Sequence, residues 1–156
     1  AIPDALVGVV EPLEDRRALA LSLGADFSRA PETASDAVAE LTGGLGADAV
    51  FDTAGGSGAL LACLELGRRG STIVLFAHAG AGEQAGFELD RLFKEERRLV
   101  ASYSGGVKEQ DAAWELMLSG ALDPAALVSA RVGLEDFSRA LELVRDRRAL
   151  KVLIEP

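Results

Sequence analysis

The sequence predicts an α/β fold, a doubly wound parallel sheet with helices on both faces. Three observations predict it. Short apolar runs alternate with amphipathic stretches along the whole chain. The clearest runs, ALVGVV and STIVLFA, are continuously apolar, as in strands buried on both faces. The stretches between them are long enough for helices, and strands alternating with such helices pair in parallel.

The elements follow in order. Residues 5–10 (ALVGVV) read as a buried strand that stops at Glu11-Pro12. Residues 13–23 place Leu19, Leu21 and Leu23 among the charges Glu14, Asp15, Arg16 and Arg17. Acids near the start and Gly24 at the end mark this stretch as a helix. Residues 25–28 suit a short strand, and residues 35–41 a short helix stopped by Gly43-Gly44. Residues 47–53 (ADAVFDT) are the next clear strand, followed by the turn Ala54-Gly55-Gly56-Ser57-Gly58. A helix over 59–66 ends near Gly67 and Gly70, and 71–77 (STIVLFA) is a strand. A loop rich in Gly and Ala runs through Gly86, and 89–94 suit a short helix. Residues 98–104 (RLVASYS) read as a strand at the sheet edge. A helix over 108–119 stops at Gly120. Residues 130–132 are extended, 134–145 helical, and 150–154 a final strand. No internal repeat, low-complexity tract or interdomain linker interrupts this pattern.

Composition bounds the function. The chain has 156 residues, 49% of them hydrophobic, enough for one domain with a sizeable core. Only 5% are aromatic, so the core is aliphatic. A formal net charge of −9 argues against nucleic acid, because no basic field replaces phosphate counterions. Cys63 and His78 are the sole cysteine and histidine, which excludes an intrachain disulfide and argues against a zinc site from this chain alone. The cysteine count fits the cytoplasm. No apolar run approaches the roughly 20 residues of a membrane span. No signal peptide opens the chain, which begins with Ala rather than Met and reads as a processed or truncated product.

Open parallel sheets bind ligands outside the carboxyl ends of their strands, so the residues there are the candidates. Glu11 closes the first strand. An acid at that place can accept both hydroxyls of a ribose and repels a 2′-phosphate, favouring NAD over NADP. Arg16, five residues on, reaches the same region. The alternative is a solvated loop acid and a surface arginine. The small residues after Asp52 (Thr53, Ala54, Gly55, Gly56) let a flat ring or a phosphate approach the backbone. His78 follows the next strand, where a solvated histidine is the plainer reading than an acid or base. Cys63 lies among Leu60, Leu61 and Leu64 and reads as a buried, inert thiol. The glycines Gly80, Gly82 and Gly86 imitate a dinucleotide loop, but no clear helix opens on them and Glu83 suits phosphate badly. That segment reads as a flexible connection.

Taken in order, VGVVEPLEDRRALALSLGAD, LTGGLGADAVFDTAGG, RRGSTIVLFA, RLFKEERRLVASYSGG and RALKVLIEP resemble the second half of zinc-type medium-chain alcohol and polyol dehydrogenases. The resemblance covers essentially the whole chain. It implies a Rossmann-like nucleotide-binding domain for residues 1–156, with a core to about residue 128. A C-terminal helix and strand (about 129–156) would return toward a catalytic domain. By resemblance Glu11 binds the adenosine ribose and Arg16 assists. Thr53, Ala54 and Gly56 line the ribose side of NAD, and Val74, Leu75 and Phe76 approach the nicotinamide carboxamide. Ser102, Tyr103 and Ser104 close the next strand, and Lys151 meets the pyrophosphate. The family often has Arg at that last place; Lys keeps the charge without the bidentate fork.

Much of the family pattern is not in this sequence. Its catalytic and structural zinc ligands, its proton relay, and its first Rossmann strand, glycine turn and helix have no counterpart here. Residues 1–4 look like the connection leaving that helix. In the strand order 3-2-1-4-5-6 the first strand is central. Without it the sheet is incomplete, with two strand edges unpaired. Each orphaned buried backbone group costs about 1–3 kcal/mol, against about 5–15 kcal/mol of net stability in a typical domain. Another chain, a further segment of the protein, or a rearranged strand order is therefore expected to fill the gap. The expected function is the cofactor-binding part of an NAD-dependent alcohol or polyol oxidoreductase, incomplete as a catalyst by itself. Its expected partners are the N-terminal catalytic half or an equivalent chain, which holds the zinc, and further copies in a homo-oligomer. The alternatives are a non-catalytic Rossmann module for oligomerisation or regulation and a zinc-free quinone-reductase relative.

Overall fold

A computed structural model describes residues 5–156. Residues 1–4, read above as a connection, lie outside the described residues. The chain forms two compact units, one running to Tyr103 and one spanning Ser104–Pro156.

The first unit begins with β1 (Gly8–Val10), α1 (Glu14–Ser22), β2 (Phe27–Arg29) and α2 (Pro31–Leu41). It continues through β3 (Ala47–Asp52), α3 (Ser57–Leu66), β4 (Gly67–Leu75), α4 (Leu89–Lys94) and β5 (Arg98–Ala101). Helix α2 opens before the expected Ser35, because Pro31 stands in the first turn, where its fixed φ suits a helix and its missing N–H costs nothing. Its buried face is Ala34, Ala37 and Val38, at one-turn spacing. Strand β4 starts earlier than expected. Gly67 ends α3 in an extended conformation, and the chain enters the strand at once. Strand β5 is shorter than expected, although Ser102 N–H still donates to the Leu75 carbonyl at 3.0 Å.

All strand pairs are parallel, as the sequence predicts. β1 pairs with β2 in one sheet, and β3, β4 and β5 form another with β4 in the middle. The order matches the expected one on each side, with the break where the first Rossmann strand would stand. Among the described residues no strand pairs with the second edge of β1 or of β3. The expected gap is thus present in the fold.

The core of the larger sheet is Leu60 and Leu64 of α3 packed on Ile73 of β4, with Val50, Leu75, Phe87, Leu92 and Leu99 around them. Ile73 is fully buried. It is the centre of the central strand, so neighbouring strands and a covering helix all reach it. This packing fixes the β3 and β4 carboxyl ends side by side, in the register Asp52↔Leu75.

The second unit holds α5 (Val107–Leu118), β6 (Val128–Gly133), α6 (Phe137–Arg145) and β7 (Lys151–Glu155). The Glu109 carboxylate accepts from Gly106 N–H at 2.8 Å, closing the start of α5. Strands β6 and β7 pair in parallel, and Arg131 meets Glu155 across them at 2.7 Å. Residues 134–136 form a short 3-10 turn ahead of α6, so the helix proper begins at Phe137.

Candidate functional site

Three strand ends meet at one edge of the larger sheet. Asp52, the last residue of β3, is buried to 2% exposure. Its Oδ1 accepts from Ala54 N–H at 3.0 Å and from Gly55 N–H at 2.8 Å. A carboxylate that accepts from amides two and three residues on bends the chain into a tight turn. The Asp52 carbonyl accepts from Phe76 and Ala77 N–H, both at 3.0 Å. One residue therefore shapes the turn 53–56 and ties it to the end of β4. The sequence signal was an acid followed by small residues; its burial was not legible.

Gly55 (φ +79) and Gly56 (φ +87) both take left-handed conformations. A side chain on Gly55 would run into the His78 carbonyl. Glycine there lets the β4 loop lie directly on the turn. Gly56 caps the start of α3 and has room beside it, bounded by the Glu83 carboxylate. The His78 and Tyr103 rings meet edge to face at 5.5 Å. Thr53, Ala54, Phe76, Ser102 and Tyr103 are exposed at this edge, and Val74, Leu75 and Gly56 are half-buried.

The β4 loop is not the free connection expected. Glu83 Oε1 accepts from Ser57 N–H at 2.6 Å, and Oε2 accepts from Gly80 N–H at 3.0 Å. These bonds, the one from the Ser57 amide first, hold its carboxyl below the ordinary value. No local pattern announces a contact spanning 26 residues.

Glu11 and Arg16 belong to the smaller sheet. Glu11 is half-buried just past β1, and its Oε1 accepts from Leu13 N–H at 2.9 Å, which fixes the carboxylate at the strand end. Arg17 rather than Arg16 folds back on this turn, donating to the Glu11 and Pro12 carbonyls at 2.8 and 2.7 Å. Among the described residues no ion pair joins Arg16 to Glu11. In the second unit Ser104 is exposed with φ +60, and Lys151 is exposed at the start of β7.

A cavity of about 220 Å³ lies away from these strand ends, between α3 and α4. Leu61, Leu64, Phe87 and Leu92 give it apolar walls. Its arginines are already paired: Arg91 with Glu65 at 2.5 Å, and the buried Arg97 with Glu95 at 2.6 Å. It offers an anion no free cation.

The residues fit part of a dinucleotide. The Gly56 turn gives a backbone that a ring can approach, and Glu11 gives a fixed carboxylate. The Gly55-Gly56 turn opens on α3, but the Glu83 carboxylate already takes the first amide of that helix. Zinc finds no fit among the described residues. No three His, Cys, Asp or Glu side chains stand close enough to share a metal ion. Cys63 sits half-buried in α3, where burial pushes its thiol up to about 11. Among the described residues no helix is long and apolar enough to cross a membrane.

A parallel α/β sheet with an acid and a glycine turn at its strand ends defines a Rossmann-like class of chain. The family model for zinc-binding dehydrogenases matches residues 4–119, and the chain belongs to that family. It is 32% identical over 124 residues to a putative D-xylulose reductase of Rhizobium meliloti, covering 80% of this chain and 35% of that protein. It is 28% identical over 145 residues to a D-arabitol-phosphate dehydrogenase of Enterococcus avium, covering 90% and 40%. The alcohol dehydrogenase structure from Thermotoga maritima superposes with a TM-score of 0.88 at 26% identity, covering 97% of this chain and 43% of that one. The chain thus spans about two fifths of the length of the relatives it matches.

Proposed function

We propose that this chain is the cofactor-binding part of an NAD-dependent alcohol or polyol oxidoreductase. The observation that carries the reading is the shared edge where Asp52 ties the Gly55-Gly56 turn to the end of β4. Thr53, Ala54 and Gly56 would face the cofactor ribose, with Val74, Leu75 and Phe76 toward the carboxamide. Ser102, Tyr103 and Ser104 would complete that side. Glu11 would accept the adenosine ribose hydroxyls, with Arg16 beside it. Its negative charge disfavours a 2′-phosphate, so NAD is preferred to NADP. Lys151 would supply charge to the pyrophosphate.

Bound NAD supplies the hydride acceptor, and the chain's own residues orient it and exclude water. Zinc, which polarises the alcohol, would come from an N-terminal half. The open edges of β1 and β3 support a partner that contributes a strand there. Residues 1–156 would then act as one nucleotide-binding part, with α6 and β7 turned toward the catalytic half. A homo-oligomer in the cytoplasm is the natural setting. Titration calorimetry of NADH against the chain, alone and joined to such an N-terminal half, tests the reading. Binding by the joined protein, weakened when Glu11 becomes Ala, is expected. No NADH binding by the joined protein ends the claim.

A further inference from the structure

Residues 76–88 join β4 to α4 and are rich in Gly and Ala, a composition that leaves the backbone many conformations. Residues 79–84 are all exposed, and the loop meets the core only from Ala85 and Phe87 onward. Burial therefore does not hold its first half in place.

One side chain does. Glu83 gives one carboxylate oxygen to Ser57 N–H, the first amide of α3, and the other to Gly80 N–H within the loop. Its own N–H donates to the Gly80 carbonyl at 3.0 Å, closing the loop on itself. The Ser57 amide is one of the helix donors that have no partner inside the helix, and it sits at the positive end of α3. The same carboxylate stands over Gly56 and is its nearest neighbour: a Cβ built there would lie 3.3 Å from Oε1. On the other flank Gly55 lies under the His78 carbonyl. The loop crosses the turn 53–56 as a strap fastened at Glu83.

We propose that Glu83 is a latch: it closes residues 79–86 over the carboxyl end of β3 and keeps the α3 N-terminus occupied until a ligand displaces it. That the displacing ligand is a dinucleotide rests on the function proposed above. The closure itself does not. A fastening made of hydrogen bonds alone, without buried apolar surface, belongs to the low-stability end of a fold and opens before the core does. The carboxylate stands where a polar group of a ligand would find the same amide. Ligand and latch therefore compete for one donor, and binding must carry the cost of unfastening.

The test is amide hydrogen exchange on the full chain as wild type, Glu83→Ala and Glu83→Gln, with NADH titrated into each variant joined to the N-terminal half proposed above. In Glu83→Ala, exchange at Ser57 and Gly80 should accelerate about tenfold or more while Ile73 and Val74 stay protected, which shows the fold intact. Glu83→Gln keeps one acceptor oxygen and should fall between. NADH should bind Glu83→Ala several-fold more tightly than wild type. Unchanged exchange at Ser57 and Gly80, with β4 protected, overturns the latch. Faster exchange with equal NADH affinity overturns its control of the cofactor. Faster exchange with no NADH binding to any variant leaves the latch standing and removes the dinucleotide reading instead.

Discussion

Replacing Gly55 by Ala should damage this protein more than replacing Gly56, although both glycines have positive φ and are adjacent. An alanine at φ +79 costs about 1–2 kcal/mol at Gly55, and about 1–3 kcal/mol at Gly56, whose φ +87 and ψ 164 lie in a region nearly reserved for glycine. Gly56→Ala then meets only the end of the flexible Glu83 side chain, at 3.3 Å, which can swing aside. Gly55→Ala instead places its methyl 3.0 Å from the His78 carbonyl carbon and closer still to the oxygen. That backbone follows directly on Phe76 and Ala77, whose N–H groups both donate to Asp52. Yielding means losing those two bonds or the Asp52–Gly55 bond, at about 1 kcal/mol each. The sum is about 2–4 kcal/mol for Gly55→Ala against about 1–3 kcal/mol for Gly56→Ala. Denaturant unfolding followed by circular dichroism reads both. Equal losses would refute the reasoning, because they would mean that the β4 loop does not rest on Gly55.

Ser71 is fully buried and its hydroxyl finds no partner, so Ser71→Ala should raise stability by about 1 kcal/mol in thermal unfolding; a fall would show a satisfied hydroxyl. Ile73→Ala, at the centre of the core, should cost about 2–5 kcal/mol, and a loss below about 1 kcal/mol would deny Ile73 that place. Cys63, raised from 9.0 to about 11 by burial and then by Asp52, should alkylate at pH 8 about a hundredfold more slowly than a free thiol. Glu65 is held below its ordinary 4.5 by its hydrogen bond to Arg91. Its contribution is present above the unfolded value and lost as pH falls through the folded one. The stability of Glu65→Gln should therefore fall less steeply below pH 4.5 than that of the wild type. The pair is exposed, so the difference is under about 1 kcal/mol, and parallel acid-unfolding curves would count against it.

The strands were legible because parallel strands covered on both faces leave continuous apolar runs in the sequence. VGVV and STIVLFA mark β1 and β4 without any knowledge of their neighbours. The start of the helix after β2 is not legible, because its opening turn, with Pro31, carries little apolar signal. At the site, the strand-end residues Thr53, Ala54, Gly56 and Phe76 could be named in advance, since they follow from where each run stops. Spacing from the strand end brings Arg16 toward Glu11, and only the structure shows Arg17 folding back on the Glu11 turn. A one-residue difference is a rotation of about 100° on a helix, which spacing from a strand end does not resolve.

The sequence by itself determined the alternation of strands and helices, the strand-end residues, and a break in the sheet between β1 and β3. Each is a local or ordered property of the chain: a periodicity, a stop signal, a segment without counterpart. Only the tertiary structure decided that Asp52 is buried beneath the turn it shapes. It alone also decided that Gly55 carries the β4 loop and that Glu83 fastens that loop to α3. Those are contacts between segments far apart in the chain. They depend on the packing of Leu60, Leu64 and Ile73, which holds α3 on β4 and so keeps the strand ends side by side.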